Sequence, residues 1–415
     1  MTSLRFAVVS DVHAGARDAE WTHVFPEPPR ARALTQPLRD LLDHAARAPD
    51  ELQNVDYLIV PGDIADQADA SGLEYAWELL NELGSVLGAE LIAVPGNHDV
   101  VTRSFTPNPR GYLQSLSPPF PTRDLESNRY FWQHGWVLIE RPLVRFLIID
   151  STASFPPYPA GAAEDSAEFT EYYHALDRGA FPEETEDAIR SQLQALPHKL
   201  NVAVVHHHPQ EHQARQEMQD GYGPMLRGEA LLDLLAEHPT TGRWLVIHGH
   251  KHIPQLVHAT TTTSNGPVVL CAASLGAKLW SPIDTVTRNQ FHIVTTLADE
   301  QSAVSSLLGR VDSYMWGYGA GWSRSYRAGA GLPGEAGFGS GLDFRALASQ
   351  IVHIMDSDQL NFIDCANLSE RVTSFPYLLP RDAEFLVREL DARGFAFLHD
   401  DSMRPRQLYR KERLA

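Results

Sequence analysis

Apolar positions along the first three quarters of the chain fall into two kinds of pattern. Short continuous runs occupy residues 6–9, 57–60, 91–94, 146–149, 202–205 and 244–247. They are β-rich and do not alternate with polar residues, which predicts strands buried on both faces. Between them the spacing turns helical. Residues 33–46 form one such stretch, and residues 73–87 form another, with Leu73, Trp77, Leu80, Leu83 and Leu87 on one stripe. A third covers residues 183–196 and is opened by Pro182, a residue suited to a helix start. Strands alternating with helices predict a layered α/β fold.

Further along the pattern changes. Residues 103–126 and 154–168 are rich in loop-forming residues, and each segment follows a strand. They are either the rim of a site or plain surface insertions. Residues 291–311 fit a β-hairpin with Asp299-Glu300 near its turn. Residues 312–341 mix glycine with Trp, Tyr and Arg, as a linker or an extended segment wrapped on the main domain would. Beyond them, helices at 344–355 and 382–393 and a hairpin from 395–398 and 407–409 suggest a small α+β, winged-helix-like module. The chain thus divides into a main domain (1–311), a linker (312–341) and an accessory module (342–415). The apolar stripe Ala383, Phe385, Leu386 and Leu390 needs a partner surface, either the main domain or a second chain.

Length and composition fit this division. The chain has 415 residues, 43% hydrophobic and 21% charged, as expected of a globular protein larger than one average domain. Its net charge of -19 disfavours duplex nucleic acid as a partner. Arg404, Arg406, Arg410, Lys411 and Arg413 are diluted by Asp400, Asp401 and Glu412, so the tail reads as solvated. Cys271 and Cys365 are too far apart for a zinc-type pair and read as buried thiols in a reducing compartment. The apolar run 6–9 is too short for a signal sequence or a membrane span, so a cytoplasmic location is expected and a membrane partner is not.

Chemistry gathers just past the strands. Run 6–9 ends in Ser10-Asp11-Val12-His13, run 57–60 in Pro61-Gly62-Asp63, and run 91–94 in Pro95-Gly96-Asn97-His98-Asp99. Run 202–205 ends in His206-His207-His208-Pro209, and run 244–247 in His248-Gly249-His250-Lys251-His252. In open α/β sheets that edge is where ligands bind. Carboxylate, amide and imidazole donors suit divalent transition metals, and an Asp on a tight glycine turn, such as Asp63, can bridge two ions. Two such ions would attract a phosphate and lower the pKa of a bound water toward neutrality, supplying the nucleophile. A single Asp-x-His or strand-end His is more often structural; five such ends in one chain are not.

These motifs, in this order, resemble the calcineurin-like metallophosphoesterases, over about residues 4–300. The resemblance implies a four-layer α/β/β/α sandwich and two divalent metal ions, with Mn, Fe or Zn the leading candidates. It implies Asp11, His13, Asp63 and His252 around the first ion, and Asp63, Asn97, His207 and His250 around the second. The choice of His207 rests on its place two residues before the proline; His206 is the alternative. His98 would face the substrate, with Asp66 orienting it, while His208 and Arg17 would touch substrate. Asp66 stands where purple acid phosphatases carry a tyrosine, and Gln67-Ala68 and Asp99 depart from the protein Ser/Thr phosphatase pattern. The expected activity is hydrolysis of a phosphate ester, most simply a small phosphodiester of the cyclic-nucleotide type. Two alternatives are a nuclease, and a regulatory binding protein on the same scaffold. Trp280 reads as a core aromatic and Lys251 as a solvent-facing spacer.

Overall fold

The chain begins with a strand, β1 (Thr2–Val8), that pairs parallel with β2 (Tyr57–Val60), which in turn pairs parallel with β3 (Glu90–Ala93). The computed structural model describes residues 2–16, 20–26, 36–47, 52, 54–194, 196–218, 223–237, 242–298, 307–325, 330–339, 343–400 and 404–411. Val8 lies beside Ile59 and Ile59 beside Ile92, so all three strands release their following loops at one edge.

The chain then crosses to a second sheet. Its strands are β4 (Trp136–Glu140), β5 (Val144–Ile149), β6 (Leu200–Val204), β7 (Trp244–His248), β8 (Gln255–His258) and β9 (Val268–Cys271), in spatial order β4-β5-β6-β7-β9-β8. Strand β10 (Gln290–Ala298) returns to the first sheet, antiparallel to β1. There β11 (Leu308–Gly317), β12 (Gly321–Arg324) and β13 (Glu335–Phe338) extend it to seven strands. The predicted 291–311 hairpin is thus formed by β10 and β11, while its Asp299-Glu300 turn lies outside the described residues. Much of the segment read as a linker or wrapped strap supplies strands: Ser313, Tyr314 and Trp316 are buried within β11.

Two sheets with buried runs must cover both faces. Between them lie Phe6, Val8, Ile59 and Ile92 of one sheet and Phe146, Val202, Val204 and Ile247 of the other. Helices Pro37–Arg47 and Ala70–Leu87 cover the outer face of the first sheet through Leu41, Leu73, Trp77 and Leu80. Helices Glu183–Leu193 and Gly228–Glu237 cover the second through Ile189, Leu193, Leu231 and Leu235. The result is the expected α/β/β/α sandwich. Helix Ala70–Leu87 has clear local signals: Asp69 caps its start by accepting from Gly72 N at 2.6 Å, and Gly88 ends it at φ +70°.

The C-terminal module has its own core. Helix Phe344–Ser357 leads into β14 (Phe362–Asp364), helix Cys365–Arg371, helix Pro380–Ala392, β15 (Phe395–His399) and β16 (Pro405–Arg410). The strands pair in the order β14-β16-β15, completing a winged-helix arrangement. Leu386 and Leu390 of the amphipathic helix pack with Leu347, Ile351, Phe395 and Leu408, so the surface that covers this stripe comes from the module itself. Gly337 N donates to the Leu378 carbonyl at 3.0 Å, and Arg404 lies 3.4 Å from Glu335, joining the module to β13. Both cysteines are buried and unpaired. Among the described residues, no helix is long and apolar enough to cross a membrane.

Candidate metal centre

Three loops of the first sheet and two of the second converge. The loop after β1 is stitched to that after β2: Asp11 N donates to Gly62 O at 3.1 Å and His13 N to Asp63 O at 2.9 Å. Buried Asp99 ties the loop after β3 to them, accepting from Ala65 N at 2.7 Å and Gly96 N at 2.8 Å. Burial and the neighbouring Asp63 push the Asp99 carboxyl up to about 6. In the second sheet Gly249 N donates to His206 O at 3.1 Å, joining the loops after β6 and β7.

The donors fall into two groups that share one carboxylate. In the first, His252 Nε2 is 3.3 Å from Asp11 Oδ1 and 3.1 Å from His13 Nε2, and His13 Nε2 is 3.6 Å from Asp63 Oδ2. In the second, His206 Nε2 is 3.3 Å from the same Asp63 Oδ2 and 3.0 Å from Asn97 Oδ1, and His250 Nδ1 is 3.1 Å from Asn97 Oδ1. Backbone amides hold the carboxylates: His250 N donates to Asp11 Oδ1 at 2.9 Å and His98 N to Asp63 Oδ1 at 2.8 Å. The Ser10 hydroxyl donates to the other Asp11 oxygen.

Burial opposes charge on Asp63, but His206 and His98 hold its carboxyl well below the usual range. Burial likewise works against a charged His206, yet Asp63 and Asp11 raise it to about 9. Lone pairs from imidazole, carboxylate and amide thus face one another at hydrogen-bond distance. A proton reconciles them at His206, and a cation would reconcile each group as a whole.

The backbone is bent to achieve this. Asp11, His13, Asp63, His250 and His252 have φ of +52°, +50°, +52°, +75° and +61°, a region non-glycine residues seldom adopt. Such conformations persist where the surrounding structure over-determines them, typically at functional sites. Gly62, at φ +94°, makes the turn that presents Asp63, and a Cβ there would lie 2.6 Å from His206 Nδ1.

The three consecutive histidines occupy three environments. His206 Nδ1 donates to Pro61 O at 2.8 Å, so Nε2 is the ring nitrogen turned to Asp63 and Asn97, free to give its lone pair to a cation once its proton leaves. His207, the residue expected from sequence, has neither nitrogen to spare. Its Nε2 donates to Leu176 O at 3.0 Å, so its Nδ1 must accept from the Ser151 hydroxyl at 2.7 Å. Burial and His206 keep it neutral, its pKa well below the usual range. His208 is 2% exposed and its ring stacks on that of His250, so it backs the cluster rather than opening to substrate.

Other expectations are placed as follows. His98 Nδ1 is 3.2 Å from Asp66 Oδ1, and the His98 side chain is 31% exposed. Asp66 also approaches His13 Nδ1 at 3.8 Å. Arg17 lies outside the described residues. Lys251 is buried, its Nζ 3.5 Å from Asp177 Oδ2, not a solvent-facing spacer. Asp177 Oδ1 also lies 3.6 Å from His250 Nε2; nothing in the sequence near it signalled this position. Trp280 is exposed rather than a core residue, with its ring 5.7 Å from that of His252.

The calcineurin-like phosphoesterase family model matches residues 4–254, and the calcineurin-associated winged helix-turn-helix model (wHTH-Calcineurin_assc) matches residues 336–392. No curated protein matches the sequence. Among solved structures, the chain is similar to the purple acid phosphatase PPD1 from yellow lupin (Lupinus luteus) seeds. The identity is 14% and the TM-score 0.45, over 76% of this chain and 52% of that one. The chain therefore spans about half the length of that phosphatase. It is also similar to a metallophosphoesterase from Sphaerobacter thermophilus, at 15% identity and TM-score 0.26, over 70% of this chain and 83% of that one. A 5'-nucleotidase from Candida albicans SC5314 is similar at 14% identity and TM-score 0.33, over 76% and 52%.

Proposed function

The chain belongs to the calcineurin-like phosphoesterase family, and from that premise we propose that it hydrolyses a small phosphodiester at a dinuclear metal centre. Asp11, His13, Asp63 and His252 hold one ion; Asp63, Asn97, His206 and His250 hold the other. The observation that carries the reading is Asp63 Oδ2, 3.6 Å from His13 Nε2 on one side and 3.3 Å from His206 Nε2 on the other: one carboxylate oxygen shared by two donor groups. Two divalent ions at these groups supply Lewis-acid polarisation of the phosphate and a water acidic enough to attack near neutral pH.

The chain's own residues do the rest. Partly exposed His98 stands beside the centre and gives a proton to the leaving oxygen. Asp66 fixes the His98 ring. Ser10 and the His250 and His98 amides keep Asp11 and Asp63 aimed.

The nuclease alternative is less well supported. Helix Pro380–Ala392, which holds the recognition position of the winged helix, carries two arginines (Arg381, Arg388) against four carboxylates (Asp382, Glu384, Glu389, Asp391). That balance does not favour a phosphate backbone. The deciding test uses metal-stripped protein reloaded with Mn and assayed on bis-p-nitrophenyl phosphate and p-nitrophenyl phosphate, with Asn97→Ala alongside. Diester cleavage that disappears in the variant supports the reading. Cleavage of the monoester alone redirects it to phosphomonoesters, and two bound ions with neither cleaved favours the regulatory alternative.

A further inference from the structure

Of the chain's eight tryptophans, Trp77, Trp136, Trp244, Trp316 and Trp322 are buried and Trp132 is half-buried. Only Trp21 and Trp280 are exposed, at 50% and 43%. They sit on two loops that meet beside the metal centre, where Thr22 bridges Ala277 and Lys278 N donates to Trp21 O at 2.9 Å. A large indole left half in water forgoes apolar burial, and two on paired loops at the mouth of one site are not scattered surface residues.

Trp280 is also held in place. Its ring meets the His252 ring edge to face, at 5.7 Å and 73°, and the Arg215 guanidinium carbon lies 5.9 Å from its centroid. Arg215 is itself anchored, with Nε and Nη2 donating to Lys251 O at 3.0 and 2.7 Å. The indole is therefore a rigid aromatic plate, fixed to the loop that carries His250 and His252 yet open to solvent. The same His252 ring that meets the indole also presents its Nε2 to Asp11 Oδ1 at 3.3 Å.

We propose that Trp280 is a stacking platform for a nucleobase and that the substrate is a nucleoside phosphate ester. This rests on the hydrolytic reading above and narrows it to a substrate class. Aromatic stacking is tolerant of base identity because each base offers a π-face, so the platform selects for a base rather than for one base.

The test compares full-length, Mn-loaded wild type, Trp280→Ala and Trp280→Phe. Substrates are 2',3'-cyclic AMP, 3',5'-cyclic AMP and 5'-AMP against two aliphatic esters, glycerophosphocholine and glycerol 1-phosphate. Calorimetric binding of 5'-AMP is measured alongside. The ratio of kcat/KM for the best nucleoside ester to that for the best aliphatic ester should fall about tenfold or more in Trp280→Ala and recover largely in Trp280→Phe. The loss should lie in KM, and 5'-AMP affinity should fall by a similar factor. A ratio within twofold of wild type, or a wild type that prefers aliphatic esters, overturns the proposal while leaving the hydrolytic reading intact. If wild type cleaves nothing while holding two ions, the hydrolytic reading fails. The binding result then decides alone: weaker 5'-AMP binding in Trp280→Ala sustains the platform, and equal binding removes it.

Discussion

Replacing His206 and His207 one at a time by alanine separates a metal ligand from a structural neighbour of the same type. In His207→Ala, the Ser151 hydroxyl and the Leu176 carbonyl lose their partners inside a fully buried site. Each buried, unsatisfied polar group costs ~1–3 kcal/mol, so with some local relaxation the loss is about 2–5 kcal/mol. For a domain of this size that corresponds to a fall in Tm of roughly 3–8 °C. The ring contributes no lone pair to the centre, so the folded variant should still bind two ions. His206→Ala removes a donor 3.0 Å from Asn97 and 3.3 Å from Asp63. Loss of a partner one shell further out already weakens metal binding about 10- to 100-fold, and loss of a direct donor should exceed that. After Mn loading and exhaustive dialysis, elemental analysis should find about one ion fewer per chain in His206→Ala, with phosphoesterase activity abolished. Scanning calorimetry of both metal-stripped variants gives the stability side. Two ions in His206→Ala together with one in His207→Ala would refute the tautomer argument on which the assignment rests.

Three further outcomes follow from the same geometry. Asp66→Asn, assayed at saturating Mn because Asp66 also backs His13, should lower kcat about 10- to 100-fold by loosening His98; unchanged turnover would remove the Asp66–His98 pair from the reaction. Gly249→Ala should deplete the first ion and slow the enzyme, since a Cβ there would overlap Ser10 Oγ and Asp11 Oδ2; elemental analysis with the first-site metal intact would contradict this. His206 in the metal-stripped protein is raised from 6.5 to about 9, so the stability it lends is fully present below about pH 6.5 and disappears as pH rises to about 9. The Tm of stripped protein should fall across that window by the equivalent of about 2–3 kcal/mol, and a Tm that is flat or rising there would argue against a charged His206.

The sandwich was readable because its strands are continuous apolar runs and the proposed ligands sit directly after them. The choice between adjacent histidines was harder, although a signal was present. Side chains on a strand alternate between faces. Val202 and Val204 point between the sheets, while Ala203 and Val205 point to the helical layer. Continued by one residue, that alternation sends His206 toward Asp63 and His207 toward Leu176. Glycines masked β11–β13, where the buried set Val311, Ser313, Tyr314 and Trp316 includes a serine and so breaks the apolar signal. The exposure of Trp280 and the approach of Asp177 to His250 depend on tertiary placement, which local pattern does not encode.

Each donor group draws on both sheets: Asp11, His13, Asp63 and Asn97 come from loops of the first, and His206, His250 and His252 from loops of the second. The spacing between the two halves of the centre is therefore set by what fills the interior, by Phe6 and Phe146 with ring centroids 6.2 Å apart and by Tyr57 at 4.7 Å from Phe146. Trimming those rings would let one sheet settle against the other by a fraction of an ångström. The fold would tolerate such a shift, but a set of donors held within a few tenths of an ångström would not. Turnover in this protein should thus act as a gauge of how its interior is packed, lost at substitutions well away from the mouth of the site and before the melting curve moves far.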